Sequence, residues 1–348
     1  MLSIKDSISK YDTQNQFEVL RNYYKQIEYA VSNHLPELNF ISDDIEKIII
    51  TGLGGSAISA DLLKNFLKDE LKLPIYVNRN YHLPPFADEN TLVICSSYSG
   101  NTEETLSAFN EALKNDCKIV CISTGGKLKK LAEENNLPFI QLQYGFQPRF
   151  ALGLSFFSLL KLFEKIGLIQ NQDEEVNSII KLWKEKAEEF STEKNYALEL
   201  ATSLIGFIPI IYSVSDFNNA VGMRLKAQFN ENSKLHSFHN ELPEMNHNEI
   251  IGWESHKQKN LNTKVIFLTD EEIHPQIKKR FQIMSEMISS SDVEIITLKS
   301  SEKNFKMRLM DLVYLSDWVS YYLAIIRKYD PSEIDFIHSL KNKLSETW

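Results

Sequence analysis

The sequence predicts an α/β protein of two doubly wound units, each a mainly parallel sheet flanked by helices. Three observations carry this. Short β-branched runs such as KIIIT (47–51), TLVIC (91–95) and VIFLT (265–269) alternate with stretches of helical periodicity. The runs are apolar throughout, as in strands covered on both faces. The same alternation starts again in the second half of the chain.

Taken in order, residues 1–40 form a helical segment, with Phe17, Leu20, Tyr24, Ile27 and Val31 at helical spacing, and predict one leading helix packed on the body. The first α/β domain covers 41–168. Its strands are 47–51, 74–77, 91–95, 118–122 and 138–142, with helices at Ala57–Leu67, Glu103–Leu113 and Lys127–Asn135. A long apolar helix, Arg149–Ile166, closes it, and GLIQNQDEE reads as a linker. The second domain, 169–348, has helices near 174–190 and 195–205, a strand at 209–214 and a helix at 216–230. Strands at 265–269 and 293–298 bracket a helix at 276–289, and helices Phe305–Arg327 and Ser332–Leu344 end the chain around Asp330-Pro331.

A length of 348 residues, 43% hydrophobic and 24% charged, suits two ordinary soluble domains. No apolar run reaches the roughly 18–20 residues of a membrane span. The polar N-terminus lacks a signal-peptide core, so the expectation is a cytoplasmic protein with no membrane partner. Net charge is -9 and the basic residues are scattered; even KLKK (127–130) is followed by Glu133 and Glu134, which argues against a nucleic-acid partner. Cys95, Cys117 and Cys121 form no CxxC and read as reduced thiols.

The most informative segment is TGLGGSA (51–57), which ends a strand and opens a helix. Glycines let the backbone approach a ligand, and the helix N-terminus offers free N–H groups to an anion. Gly52, Gly54 and Ala57 also fit a dinucleotide GxGxxA, but the next strand ends in Asn78-Arg79-Asn80, without the ribose-binding acid; Arg79 leaves a 2′-phosphate cofactor as the weaker alternative. A second loop, SSYSGNTEET (96–105), sets Ser97, Ser99 and Thr102 around a glycine at another helix start. One hydroxyl would serve as an N-cap; three make a phosphate nest. STGGK (123–127) reads as a further wall of the same site. His236 and His239 with Glu241 and Glu244 fit no common metal spacing, and no GxSxG elbow is present.

These loops resemble those of the sugar isomerase (SIS) domain. With QPRFALG (147–153), RLKAQFNENSK (224–234), ELPEMNHNEIIGWE (241–254) and LSDWVSYYLA (315–324), the chain resembles the bifunctional phosphoglucose/phosphomannose isomerase family from about residue 45 to 345. The resemblance implies two SIS-type domains, a hexose 6-phosphate substrate, and no metal or redox cofactor. Gly55, Ser56, Ser97, Ser99 and Thr102 would bind the phosphate. Arg149 would lie over the reacting carbons, Glu231 would be the base, His247 would assist ring opening, and Lys341 would complete the site from the last helix.

The chemistry suits these residue types. Aldose–ketose isomerisation moves a proton between C1 and C2, and one carboxylate can take and return it through an enediolate. A fixed cation such as Arg149 stabilises the enediolate charge, and a histidine titrates in the range that ring opening needs. The rival expectations are a sugar-phosphate sensor, which would keep the phosphate loops without the base, and an amidotransferase, whose glutaminase would begin with Cys. Fold-level analogy adds a homodimer with the active site near the subunit interface, in which His247 serves the partner's site.

Overall fold

The computed structural model describes residues 3–258 and 261–345. Its first sheet contains β1 (Lys47–Thr51), β2 (Ile75–Asn78), β3 (Thr91–Ser96), β4 (Lys118–Ser123) and β5 (Phe139–Gln141). All pairs are parallel, in the order β2-β1-β3-β4-β5. The chain runs outward from β1 to β2, then crosses back to β3 on the other side. The crevice above the C-terminal ends of β1 and β3 is therefore the topological switch point, where such folds bind ligands. Both loops singled out for phosphate emerge there, leading into α4 (Gly55–Phe66) and α5 (Glu103–Lys114); α6 (Gly126–Glu134) follows β4.

The second sheet, order β7-β6-β8-β9, is also parallel and contains β6 (Ile208–Val214), β7 (Phe238–Leu242), β8 (Thr263–Leu268) and β9 (Ile295–Leu298). The sequence reading missed β7. FHNEL is an edge strand with only Leu242 buried, so it lacks the apolar run that marks the others.

The leading helix is instead three: α1 (Ile4–Tyr11), α2 (Gln16–Arg21) and α3 (Tyr24–Ser32). Asp12 ends α1 and turns its carboxylate onto the N–H groups of Gln16 and Phe17, capping α2, while Asn15 takes φ 55°. The helix expected from Arg149 starts later, as α7 (Leu152–Ile166), behind a 3-10 turn at Pro148–Phe150. Helices α8 (Asp173–Phe190), α9 (Tyr196–Ser203), α10 (Asn219–Glu231), α11 (Pro275–Ser289), α12 (Phe305–Ile326) and α13 (Asp335–Ser345) complete the chain.

One hydrophobic cluster runs from the N-terminal helices through both halves. At its centre Tyr23, Trp183 and Tyr314 stack face to face, with ring centroids 5.2 and 5.0 Å apart. Contrary to the expectation from run lengths, α12 is long and apolar enough to cross a membrane, yet 89% of its most apolar window is buried inside the fold. Its charged residues pair within the protein, Asp317 with Arg224 and Arg308 with Asp270, as a core helix requires.

Candidate active site

The two loops expected to hold phosphate each follow a strand and open a helix, and their residues do different things. Gly55 opens α4 where a Cβ would sit 2.6 Å from the Pro148 carbonyl, so only glycine lets the QPR turn pack against this helix start. Ser56, in the first turn, is buried. In the second loop Ser97 Oγ lies 2.8 Å from Thr102 Oγ1 and accepts the Gly100 N–H at 3.1 Å. Ser99 is exposed, and its Oγ accepts from the Asn101 N–H. Thr102 occupies the N-cap position of α5 without a side-chain cap bond. The cap reading of that hydroxyl therefore fails, and the α5 N-terminus faces the loop uncapped by it. The third loop packs behind the second: a Cβ on Gly100, at φ 70°, would lie 1.8 Å from the Gly125 carbonyl oxygen. Leu128 N–H and Lys127 N–H bond Gly100 O and Asn101 Oδ1. It braces the nest rather than walling it.

Arg149 and Glu231, 82 residues apart, meet beside the Gly54-Gly55 helix start. Arg149 is only 3% exposed. Its Nη1 donates to Glu231 Oε1 at 3.0 Å, its Nε to Asn232 Oδ1 at 2.6 Å, and its Nη2 to the Pro331 carbonyl. Burial pulls its pKa below the ordinary arginine value, against the opposing pull of Glu231. Glu231 ends α10 and is half-buried. Both line a cavity of about 130 Å³ with Gly54, Gly55, Ile58, Arg79 and Met223.

A fully buried layer holds this pair. Arg224 binds Asp317 through two hydrogen bonds, Nε to Oδ1 at 2.9 Å and Nη2 to Oδ2 at 2.7 Å. Gln228 Nε2 adds a third at 2.8 Å, and Arg224 Nη2 also donates to the Arg149 carbonyl at 3.0 Å. Asn232 Nδ2 is anchored on Ser320 Oγ. Lys234, at φ 49°, donates to the carbonyls of Asn232 and Asp330; burial first, then the Arg149 charge, lowers its pKa. The sequence reading gave these residues no role. The signal was there: Arg224, Gln228, Glu231 and Asn232 form a polar stripe at helical spacing, and Asp317 interrupts an apolar helix.

His247 and Lys341 are not brought to this pair within the chain. His247 lies in the 3-10 turn Glu244–His247 beyond the β7 edge; it is exposed and its ring bonds no described residue. The turn is pinned by Glu249, which accepts from Tyr212 Oη at 2.6 Å and from Asn240 Nδ2. Lys341 is exposed on α13 and does not complete the Arg149–Glu231 site as expected; it forms no ion pair or hydrogen bond with either residue. The apolar residues Phe336 and Leu340 beside it are also exposed, Phe336 by 95%. Of the residues weighed for metal, His239 instead shares a 2.6 Å hydrogen bond with Ser213 Oγ. Among the described residues no three His, Cys, Asp or Glu side chains cluster as metal ligands would.

Comparison with known proteins places the chain in a family. Residues 43–140 match the SIS domain, and residues 193–344 match the bacterial phospho-glucose isomerase C-terminal SIS domain. A bifunctional phosphoglucose/phosphomannose isomerase of Caldicellulosiruptor bescii is 41% identical over 95% of this chain and 99% of its own. The chain belongs to the bifunctional phosphoglucose/phosphomannose isomerase family. A second member, from Aquifex aeolicus, is 34% identical over 95% of this chain and 98% of its own. A hypothetical protein from Thermus thermophilus superposes with a TM-score of 0.73 at 14% identity, covering 99% of this chain and 93% of its own, and shares the fold. Both phosphate-loop candidates lie within the SIS match, Glu231 lies within the C-terminal match, and Arg149 lies in the segment between the two.

Proposed function

We propose that this chain interconverts glucose 6-phosphate and mannose 6-phosphate with fructose 6-phosphate, by proton transfer through an enediolate. The observation that carries this reading is the Arg149–Glu231 pair on a cavity that also reaches the Gly54-Gly55 helix start.

The phosphate sits at the N-termini of α4 and α5, held by backbone N–H groups, Gly55 and the hydroxyls of Ser56, Ser97, Ser99 and Thr102. The carbon chain then runs toward Glu231. Its carboxylate removes the proton from C2 of the aldose and returns it to C1. The negative charge that develops on the enediolate oxygens faces Arg149, whose orientation is fixed in advance by Asn232 and the Pro331 carbonyl. Glucose and mannose 6-phosphates differ only at C2 and share the same enediolate, so one base serves both once the intermediate can present either face. The two chains of a homodimer bring the outward-facing His247 of one to the other's cavity, for ring opening.

The test is turnover of each aldose phosphate to fructose 6-phosphate by the purified protein with EDTA present, with Glu231→Gln alongside. Glutamine can still accept from Arg149 Nη1, so the variant should fold while kcat falls about 10²–10⁴-fold. Binding of the sugar phosphates without turnover by the wild type would overturn the isomerase reading and leave a sensor.

A further inference from the structure

Arg79 lines the same cavity as Arg149 and Glu231, and nothing in the chemistry above uses it. It follows the C-terminal end of β2, on the far side of β1 from the β3 loop with its three hydroxyls. Asp61, on α4 and mostly buried, holds its Nη2 from one side, and Met223 Sδ of α10 lies 3.8 Å from the same nitrogen. Its Nε and Nη1 donate to no described residue, which leaves two N–H directions unspent in a cation pinned at one corner. The other arginines of the cavity are committed: Arg224 to Asp317 and the Arg149 carbonyl, Arg149 to Glu231, Asn232 and Pro331.

Arg79 is exposed, and its planar guanidinium, held at Nη2, presents a fork of donors suited to neighbouring hydroxyl oxygens. We propose that Arg79, oriented by Asp61, binds the non-reacting hydroxyls of the open-chain sugar phosphate and selects a polyol phosphate over a bare phosphate. This rests on the isomerase reading for the identity of the substrate, but not for its test. Arg79 touches the sugar, not the transferred proton, so its loss weakens binding and leaves the chemical step nearly intact.

The experiment compares the affinities of wild type, Arg79→Met and Arg79→Lys for two probes, measured by titration calorimetry. Glucitol 6-phosphate carries the hydroxyls but no carbonyl, so it cannot isomerise; inorganic phosphate carries the anion alone. Arg79→Met should raise the Kd of glucitol 6-phosphate about tenfold to a hundredfold, the usual scale for a lost hydrogen bond to a charged group. The Kd of inorganic phosphate should change less than about twofold, and Arg79→Lys should fall between, since an ammonium supplies charge without the fork. Kinetic runs on the same variants should show KM rising with kcat held within about threefold. If Asp61, left without its partner, destabilises Arg79→Met, the double variant Asp61→Asn/Arg79→Met removes that charge and gives the same comparison. An unchanged glucitol 6-phosphate affinity overturns the proposal. A parallel loss for both probes also overturns it, by moving Arg79 into the phosphate nest. A wild type that shows this selectivity without turning over either sugar would sink the isomerase reading and leave the role of Arg79 standing.

Discussion

The buried layer under Arg149 predicts a large and specific response to Asp317→Ala. The Asp317 carboxylate is fully buried and accepts three hydrogen bonds, two from Arg224 and one from Gln228. Truncation leaves the equally buried Arg224 guanidinium unpaired in a place where water cannot reach it. Breaking one partner of such a pair costs about 3–5 kcal/mol. One hydrophobic cluster spans both halves, so the chain should unfold as a unit. Its 348 residues then give an unfolding entropy of about 0.7 kcal/mol/K, from about 2.1 cal/mol/K per residue. The expected drop in Tm is about 4–7 °C, read by calorimetry. Because Arg224 also holds the Arg149 carbonyl, kcat should fall with stability. The decisive control is Arg224→Met/Asp317→Leu, which removes both charges at similar volume. It should regain most of the lost stability, since such replacements are often neutral or better, but not the lost activity. A loss under about 1 kcal/mol in the single variant, or a double variant less stable than the single, would refute the reasoning.

Two further outcomes follow from the geometry. Gly100→Ala forces a Cβ to 1.8 Å from the Gly125 carbonyl at a φ of 70°, so it should cost about 2–5 kcal/mol in denaturant unfolding and sharply weaken binding of inorganic phosphate. His239 has its pKa lowered from 6.5 to about 4, by burial first and then by the Lys226 charge. The unfolded chain therefore takes up that proton before the folded one. The stability linked to His239 is complete above pH 6.5 and is lost as the pH falls through about 4, by roughly 3 kcal/mol at most. Unfolding of wild type and His239→Gln across this range should show the variant with the shallower loss toward acid; equal slopes would exclude His239 as the source.

Much of the framework was legible in the residues. Runs with apolar β-branched centres such as KIIIT and TLVIC lie where β1 and β3 form, because strands buried on both faces are apolar at successive positions instead of alternate ones. Glycine and hydroxyl clusters after those strands marked the loops that open α4 and α5, since few other residue types allow such turns at a helix start. The breaks were less legible where local side chains overrule periodicity. Asp12 cuts the leading helix by capping the next one, and β7 stays hidden because an edge strand need not be apolar.

The sequence by itself therefore determined the two parallel-sheet units, the glycine- and hydroxyl-rich loops at their helix starts, and the residue types proposed for enediolate chemistry. Only the tertiary structure decided which of them meet. Arg149 reaches Glu231 across 82 residues because the QPR turn packs on glycine at the α4 start while α10 is held against α12 by Arg224 and Asp317. It also decided that His247 faces outward, that STGGK braces the nest instead of lining it, and that Arg79 joins the cavity through Asp61. Spacing along the chain encodes faces and turns, which are local. Contacts between distant segments depend on packing and on the need to pair every buried charge, and those are satisfied only in the folded whole.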